Sequence, residues 1–552
     1  MNVWARLLSG IRANKILFSI LLLAAALRLV GIGYGLPLML VADEQPFTLA
    51  ALKMLELHTL LPALHSADFA HILYYPPYLS YLYLLPFALI IGIKYVLWHG
   101  AAALFVPQLV SDLSPFFLAS RTLQVALGTA SIYLVYQTAL MLFQSRWAAL
   151  VSAFLLATSI THIALSMTGR HWTAVTFLTI STLWVLTSER IPQLKRYGYA
   201  LLIAGFGMGV STISVLLLFP IGLHFLFLGT PTFREASRSS FLWLCALASI
   251  ALALLPSLLY PRSNGFVADM TLGNSKSFFD FLASPLQLFA FPFATEPVLI
   301  GLALYGLLVL WRAQRRFFFF VTTWVAFYAW VFYLFFRFET RFFLPLFPLF
   351  ALLGGYACSR STHTKKSAAL ILVLLLLPLA GALRFSWLVV LDDTRAHARE
   401  WVLEHIPAGG RVLVYADLTR IPTTAPAIEE LRAIDPSALR KVDEAELALN
   451  NTNRPYALNL YTVQSDAFFN TLPAYAKEHS YEYVLIETTD LSMNPERERA
   501  FTALMTKGTL LEEWKGLGPT TSMGGSSFRD PFWKLFSGPS LGPDMVLYKL
   551  PL

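Results

Sequence analysis

The sequence predicts an α-helical polytopic membrane protein followed by a soluble α/β domain. Three observations predict it. The chain of 552 residues is 57% hydrophobic and only 13% charged, about half the charged share of an ordinary soluble domain. Apolar runs near 20 residues long recur up to residue 390, the length a helix needs to cross a bilayer. Beyond Leu391 the apolar runs shrink to strand length, and the charge balance reverses. Residues 1–390 hold 25 Lys and Arg against 11 acids, and residues 391–552 hold 16 against 22. The net charge of +8 therefore belongs to the membrane part. It points to anionic membrane lipid and to orientation, not to nucleic acid.

The first apolar run, Ile16 to about Leu36, is too long for a signal-peptide core and lacks a small-residue cleavage site, so a retained helix is expected. Further spans are expected at about 116–143, 148–165, 174–188, 199–211, 213–228, 240–259, 297–311, 317–336, 342–358 and 368–390, about 11 in all. The polar "STIS" at 211–214 leaves open whether 199–228 is two helices or one bent one. The stretch 78–110 is either a crossing hairpin or a pair of helices on the membrane surface. Both cysteines, Cys245 and Cys358, sit inside apolar runs, which excludes a disulfide framework and a cysteine metal site.

With a cytoplasmic N-terminus, the inner segments collect 15 basic residues, including "WRAQRR" and "SRSTHTKK". Short loops rich in Lys and Arg face the cytoplasm. Nine of the 11 acids of the membrane part, Asp43, Glu44, Glu56, Asp68, Asp112, Asp269, Asp280, Glu296 and Glu339, then fall outside, with the long loops 37–115 and 260–296. The expected location is the inner (plasma) membrane, with function on its outer face. After residue 390, "RVLVYA", "EYVLIE" and "MVLYKL" read as buried strands, and "TRAHAREWVLEHI" as an amphipathic helix ended by Pro407 and a Gly pair. Residues 391–552 are thus expected to form an extracytoplasmic α/β domain.

The acidic pair Asp43–Glu44 in "MLVADEQPFTLAALKML" opens the first outer loop. Its residues admit two readings. Asp43 is a good N-cap for an interfacial helix over about 45–57, with Pro46 in its first turn. Alternatively Asp43 is a general base, its pKa raised by desolvation at the membrane lip. The second reading draws on company at the same depth: Arg28, Arg121, the Arg170–His171 pair in "MTGRHWT", and Arg337 and Arg341 around Glu339 in "FRFETR". Ionisable groups at the edges of spans are costly and usually mark a site, although each alone suits a snorkelling side chain.

In order and spacing, these motifs resemble a known family. They are Arg28 late in the first helix, "ADEQPF", "LYYPPYLSYLYLL" at 73–85, Arg121 opening "SRTLQVALGTASIYLVYQTALMLF", "RWAALVSAFLLATSITHIALS" and "RFETRFFLPLFPLFALLGGY". Over about 1–390 the chain resembles the GT-C glycosyltransferases that use polyprenyl-phosphate sugars, nearest the protein O-mannosyltransferase and aminoarabinose-transferase branch. The resemblance implies a GT-C fold and transfer, with inversion, from a polyprenyl-phosphate-linked sugar to a glycan, lipid or protein acceptor. It puts Asp43 in the base role with Glu44 in support. Arg28, Arg121, Arg337 and Arg341 fall near the lipid phosphate, and Tyr75, Arg170, His171, Glu296 and Glu339 near substrate. One departure stands out: many relatives carry a second Asp where this chain has "SMTGRHWTAV". No cofactor is implied with certainty, and a divalent metal would lack that second acid. The alternatives are a transporter or flippase for a lipid-linked saccharide, with repeats and broken helices as its mark, and a catalytically inactive binding protein.

Overall fold

The computed structural model describes residues 14–69, 72–73, 75–229, 231–259, 290, 292–335, 340–361, 364–491, 494–518 and 532–551. Most of the expected loop 260–296 lies outside the described residues, as do Arg337 and Glu339.

The membrane part is helical. Its principal helices are α1 Lys15–Leu29, α2 Gln45–Glu56, α3 Tyr78–Val96, α4 Ala102–Ser111, α5 Ser114–Phe143, α6 Arg146–Ala157, α7 Ile160–Ser166, α8 His171–Thr187, α9 Gln193–Val210, α10 Leu218–Phe227, α11 Ser240–Leu259, α12 Pro297–Ala313, α13 Arg315–Phe335, α14 Phe347–Ser361 and α15 Lys365–Val390. Among the described residues, six helices are long and apolar enough to cross a membrane, or seven if the bent pair α6–α7 is one span. Length and composition therefore do not bring the count to 11. The other expected spans are shorter helices, such as α12 with 17 residues, or are interrupted. The "STIS" segment is one such interruption: Ser211 is extended, and a 3-10 turn over Thr212–Leu217 separates α9 from α10. At 10 residues, α4 extends about 15 Å, half the hydrocarbon thickness of about 30 Å. It cannot return a crossing made by the 19-residue α3.

The expected span 148–165 is also broken. α6 ends at Ala157, α7 starts at Ile160, and the two are bent by 60°. The cause is local. Thr158 bonds back to the Phe154 carbonyl, and extended Ser159 caps α7 by accepting from the His162 amide. Small hydroxyl residues that satisfy backbone groups themselves let a helix stop inside an apolar run.

The expected helix after the acidic pair is present as α2, but Asp43 does not cap it. A 3-10 turn over Ala42–Glu44 runs straight into α2, whose N-cap position is Glu44, with no side-chain cap hydrogen bond. Nor is α2 only an apolar face laid on a surface. Thr48 and Lys53 are buried along with Phe47, Ala50, Ala51 and Met54. Thr48 meets Ser120 of α5, and Ser80 of α3 donates to the Phe47 carbonyl.

The C-terminal part holds a five-stranded sheet in the order β2-β1-β3-β5-β4. Its strands are β1 Arg411–Tyr415, β2 Tyr456–Asn459, β3 Tyr483–Glu487, β4 Thr509–Trp514 and β5 Met545–Lys549. β1, β2 and β3 run parallel, whereas β5 is antiparallel to both β3 and β4. Alternate residues serve opposite faces. Leu413, Tyr415 and Ile486 pack with Phe469 and Phe501; Val412, Val414 and Leu485 pack with Ala398 and Val402 of α16 (Thr394–His405). A sheet covered on both faces needs continuous apolar strands, which is why "VLVY" and "YVLIE" read as they do.

This domain rests on the segment between α1 and α5. Its helix α18 (Lys441–Leu449, after α17, Ala425–Ile434) runs beside α4, and Lys441 reaches Glu56 of α2. Beyond α15, Asp393 lies against Leu541 and Gly542. Gly542 has φ +96°, and a Cβ there would stand 2.3 Å from Asp393 Oδ1. Gly542→Ala is therefore expected to lower stability by more than the roughly 1–2 kcal/mol of the left-handed backbone alone, because the buried carboxylate must also shift. Thermal unfolding of the detergent-solubilised protein checks this; an unchanged Tm would contradict it.

Candidate active site

Two loops meet at the acidic pair. One is the turn Ala42–Glu44. The other is Met167–Arg170, between α7 and α8, whose Gly169 approaches Ser120 and Glu44 so closely that a Cβ would stand 2.8 Å from the Ser120 hydroxyl oxygen. Both backbone polar groups of Gly169 are held. Its amide donates to Glu44 Oε2 at 2.8 Å, and its carbonyl accepts from the Tyr83 hydroxyl at 3.3 Å. Tyr83 is itself fixed by Gln124 Nε2 at 3.1 Å.

The two acids do different things. Glu44 is fully buried against fully buried Arg121. Arg121 Nε donates to Glu44 Oε2 at 3.0 Å, and its Nη2 donates to Oε1. Arg121 Nη1 donates to the carbonyls of Ile32 and Tyr34, both at 2.8 Å. Both Glu44 oxygens and all three Arg121 nitrogens are thus committed. Asp43 faces the other way, with its side chain 29% exposed. Its Oδ2 accepts from Arg341 Nη1 at 2.5 Å and stands 3.5 Å from Arg170 Nη2.

Burial acts to raise the Asp43 pKa, but the guanidiniums of Arg170 and Arg341 outweigh it and hold the carboxyl below the usual aspartate range. The expected upward shift by desolvation is thereby reversed: two cations within ion-pair distance decide the sign.

Around Asp43 the structure gathers Arg170, His171, Arg341 and Tyr75. Arg170 and His171 are 1% and 3% exposed. Arg170 Nε and Nη2 close no hydrogen bond, and neither ring nitrogen of His171 has a partner. His171 packs, with tilted rings, among Tyr75 at 5.0 Å, Phe47 at 5.5 Å and Trp172 at 4.6 Å, and Phe342 meets Trp172 at 5.4 Å. Phe47, Trp172, Phe342 and Gly169 were not among the residues expected from sequence. All four stand inside the quoted motifs: Phe47 closes "ADEQPF", Gly169 and Trp172 belong to "MTGRHWT", and Phe342 follows "RFETR".

Three expected residues have other partners. Arg28 lies at the α6–α7 break, donating to the carbonyls of Ala24, Ala157 and Leu156 and meeting His162 Nδ1 at 2.7 Å. It closes the open carbonyl end of α6, where a cation is favoured. Glu296 takes the opposite end of the break, accepting from the Ser159 hydroxyl and the Thr161 amide, both at 2.8 Å. Burial pushes its pKa up to about 7. Arg121 holds Glu44. The expectation that Arg28 and Arg121 bind the lipid phosphate therefore meets two side chains already used by the fold. Glu44 and Glu296 are likewise fully engaged. Among the described residues, no group of three His, Cys, Asp or Glu side chains stands together as metal ligands would.

Glu44→Gln should be the more damaging change for folding, by about 3–5 kcal/mol, because it leaves the buried Arg121 charge uncompensated. Asp43→Asn breaks two pairs, with Arg341 and Arg170, but at a carboxylate that is 29% exposed, where water can solvate part of the charge left behind. Thermal unfolding of the two variants side by side checks the order, and equal Tm values would refute it.

Residues 103–260 match the family described as Dolichyl-phosphate-mannose-protein mannosyltransferase. No curated protein matches the sequence. Among solved structures, the chain is similar to the archaeal oligosaccharyltransferase AglB from Archaeoglobus fulgidus, in complex with an inhibitory peptide and a dolichol-phosphate. That likeness has 13% identity over 91% of this chain and 73% of that one, with a TM-score of 0.44. It is similar to ArnT from Cupriavidus metallidurans bound to undecaprenyl phosphate, at 10% identity over 96% and 97%, TM-score 0.43. It is similar to the arabinofuranosyltransferase AftD from Mycobacteria, at 13% identity over 98% and 40%, TM-score 0.44. The family match bears on residues 103–260 alone, less than half of the chain.

Proposed function

We propose that this protein transfers a sugar from a polyprenyl-phosphate donor to an acceptor hydroxyl, at the membrane face that carries the first outer loop and the C-terminal domain. The observation that supports it best is the pairing of partly exposed Asp43 with two guanidiniums, one of which, Arg170, keeps buried N–H groups without hydrogen-bond partners. Buried donors left unmade cost about 1–3 kcal/mol each, and a phosphate oxygen is the kind of acceptor that relieves them. The family matched by residues 103–260 uses a dolichyl-phosphate sugar by its description, which agrees with that chemistry.

In this reading Asp43 is the base. It takes the proton of the acceptor hydroxyl as that oxygen attacks the anomeric carbon. The bond from that carbon to the phosphate oxygen breaks, and its electron pair leaves with the lipid phosphate. Attack and departure on opposite sides invert the anomeric centre. Arg170 and Arg341 hold the departing phosphate, while His171 and Tyr75 face the sugar. The transporter reading draws on the broken helix pair α6–α7, but its ends are occupied by Arg28 and Glu296. Asp43 with its two arginines therefore carries more weight.

Asp43→Asn should fold normally, since α2 takes no cap from it, and should lose about 10²–10⁴ in transfer rate, the usual contribution of a general base. Transfer from polyprenyl-phosphate sugars by the purified variant checks this, and a wild-type rate would remove Asp43 from the base role.

The pH dependence carries a sign. In the free enzyme the Asp43 pKa is depressed, so the acid limb of kcat/KM should lie below the ordinary carboxylate range. A bound phosphate shares the two guanidiniums and raises the Asp43 pKa, so the acid limb of kcat should lie at higher pH than that of kcat/KM. Coincident limbs would mean that the phosphate does not share these arginines.

The proposed face is extracytoplasmic. A cysteine placed at Asn451, in the C-terminal domain, should react in intact cells with membrane-impermeant thiol reagents. Reaction with permeant reagents alone would reverse the orientation.

A further inference from the structure

The C-terminal domain does more than sit on the outer loop: one buried chain of hydrogen bonds leads from it to both halves of the Asp43 site. Asp393 is fully buried at the start of α16. Its carboxylate caps that helix through the Arg395 amide at 3.0 Å and binds the Arg395 side chain at 2.8 and 3.1 Å. Its Oδ2 also accepts from the Tyr34 hydroxyl at 2.6 Å, across 359 residues of sequence. Tyr34 is 2% exposed and lies between α1 and the acidic pair. Its main-chain carbonyl is one of the two that hold Arg121. Arg121 holds Glu44, and Glu44 holds the Gly169 amide. Glu44 is the neighbour of Asp43, and Gly169 is the neighbour of Arg170.

We infer that Tyr34 and Asp393 are positioning residues, through which the docked C-terminal domain sets the spacing between Asp43 and Arg170. The inference rests on the proposed function only for what that spacing does; the mechanical link stands on the hydrogen bonds alone. Asp393 is placed by the domain's own last segment. The Thr394 amide donates to the Leu541 carbonyl at 3.0 Å, and the Thr394 hydroxyl donates to the Pro543 carbonyl at 2.6 Å. The Ser540 hydroxyl donates to the Asp392 carbonyl at 2.9 Å. Residues 540–543 lead directly into β5, the antiparallel neighbour of β3 and β4. Tyr34 thus takes its acceptor from a residue beside the segment that leads into the last strand. A second anchor serves as a control. Arg384 of α15 donates to the carbonyls of Leu535 at 2.9 Å and Gly538 at 2.6 Å. It ties the same domain to the membrane part without touching Tyr34, Arg121 or Glu44.

The test compares Tyr34→Phe with Arg384→Gln in the full chain in detergent micelles. Tyr34→Phe removes one hydroxyl and keeps the ring that fills the site. Two quantities are read: backbone amide exchange of segments 42–48 and 165–172, and kcat for transfer from a polyprenyl-phosphate hexose. Tyr34→Phe should speed exchange in both segments and lower kcat by about 10- to 100-fold, as misplacement near 1 Å does. Arg384→Gln should leave both at wild-type values. Wild-type exchange at 165–172 in Tyr34→Phe, or equal effects from Arg384→Gln, would overturn the inference. Absence of transfer by the wild-type protein from both a polyprenyl-phosphate hexose and a polyprenyl-phosphate pentose would count against the proposed reaction, and the exchange rates alone would then uphold or overturn the link.

Discussion

The buried Glu44–Arg121 pair is the constraint on which the rest of the site depends. Two ions out of water are tolerated only when their geometry is good and their remaining hydrogen-bonding groups are filled. Here every remaining group is filled by backbone: the Gly169 amide on one side, and the carbonyls of Ile32 and Tyr34 on the other. That requirement brings four separate stretches of chain to one point: the turn after α1, the acidic pair, α5 at Arg121 and the turn before α8. Once they are there, Asp43 and Arg170 have little choice of position, since each is covalently next to a residue the pair has fixed.

The same logic explains the break between α6 and α7. An interrupted helix exposes carbonyls at one end and amides at the other. Arg28 meets the carbonyls, and Glu296, with the Ser159 hydroxyl, meets the amides. The bend is thus held by charges of the sign that each helix end favours. It leaves α7 short, so that the chain turns at Met167–Arg170 and begins α8 at His171 beside Asp43. Arg28 and Glu296 act on the site by shaping the chain that carries it, not by facing it.

This division of labour sets what could be seen in the sequence. The membrane class, the helix after the acidic pair, and strands β1, β3 and β5 were legible because each rests on a local pattern: apolar length, helical spacing or a buried β-branched run. β2 and β4 were not. The first is only four residues long, and the second, "TLLEEW", is an exposed edge strand whose polar residues weaken the pattern. The ionisable residues at the outer lip stood out for their rarity, but their partners did not. Glu44 and Arg121 lie 77 residues apart, and Asp43 and Arg341 lie 298 apart. Nothing local distinguishes the arginine that braces a helix end from the one that faces the site. The break at Thr158–Ser159 was hidden as well, because two small hydroxyl residues hardly interrupt an apolar run.

Charge balance separates the two kinds of arginine after the fact. Glu44 and Arg121 cancel. Arg28 spends its donors on helix carbonyls. Asp43 alone, among the described carboxylates at this lip, meets two guanidiniums, Arg170 and Arg341, and does so at a point that solvent reaches. The buried N–H groups that Arg170 leaves unfilled call for an acceptor, and an anion with several oxygens supplies one. An anion entering there competes with Asp43 for the same donors. In the proposed reaction such binding would loosen the carboxylate, drawing the guanidiniums that weaken Asp43 as a base toward the phosphate just when a stronger base is needed.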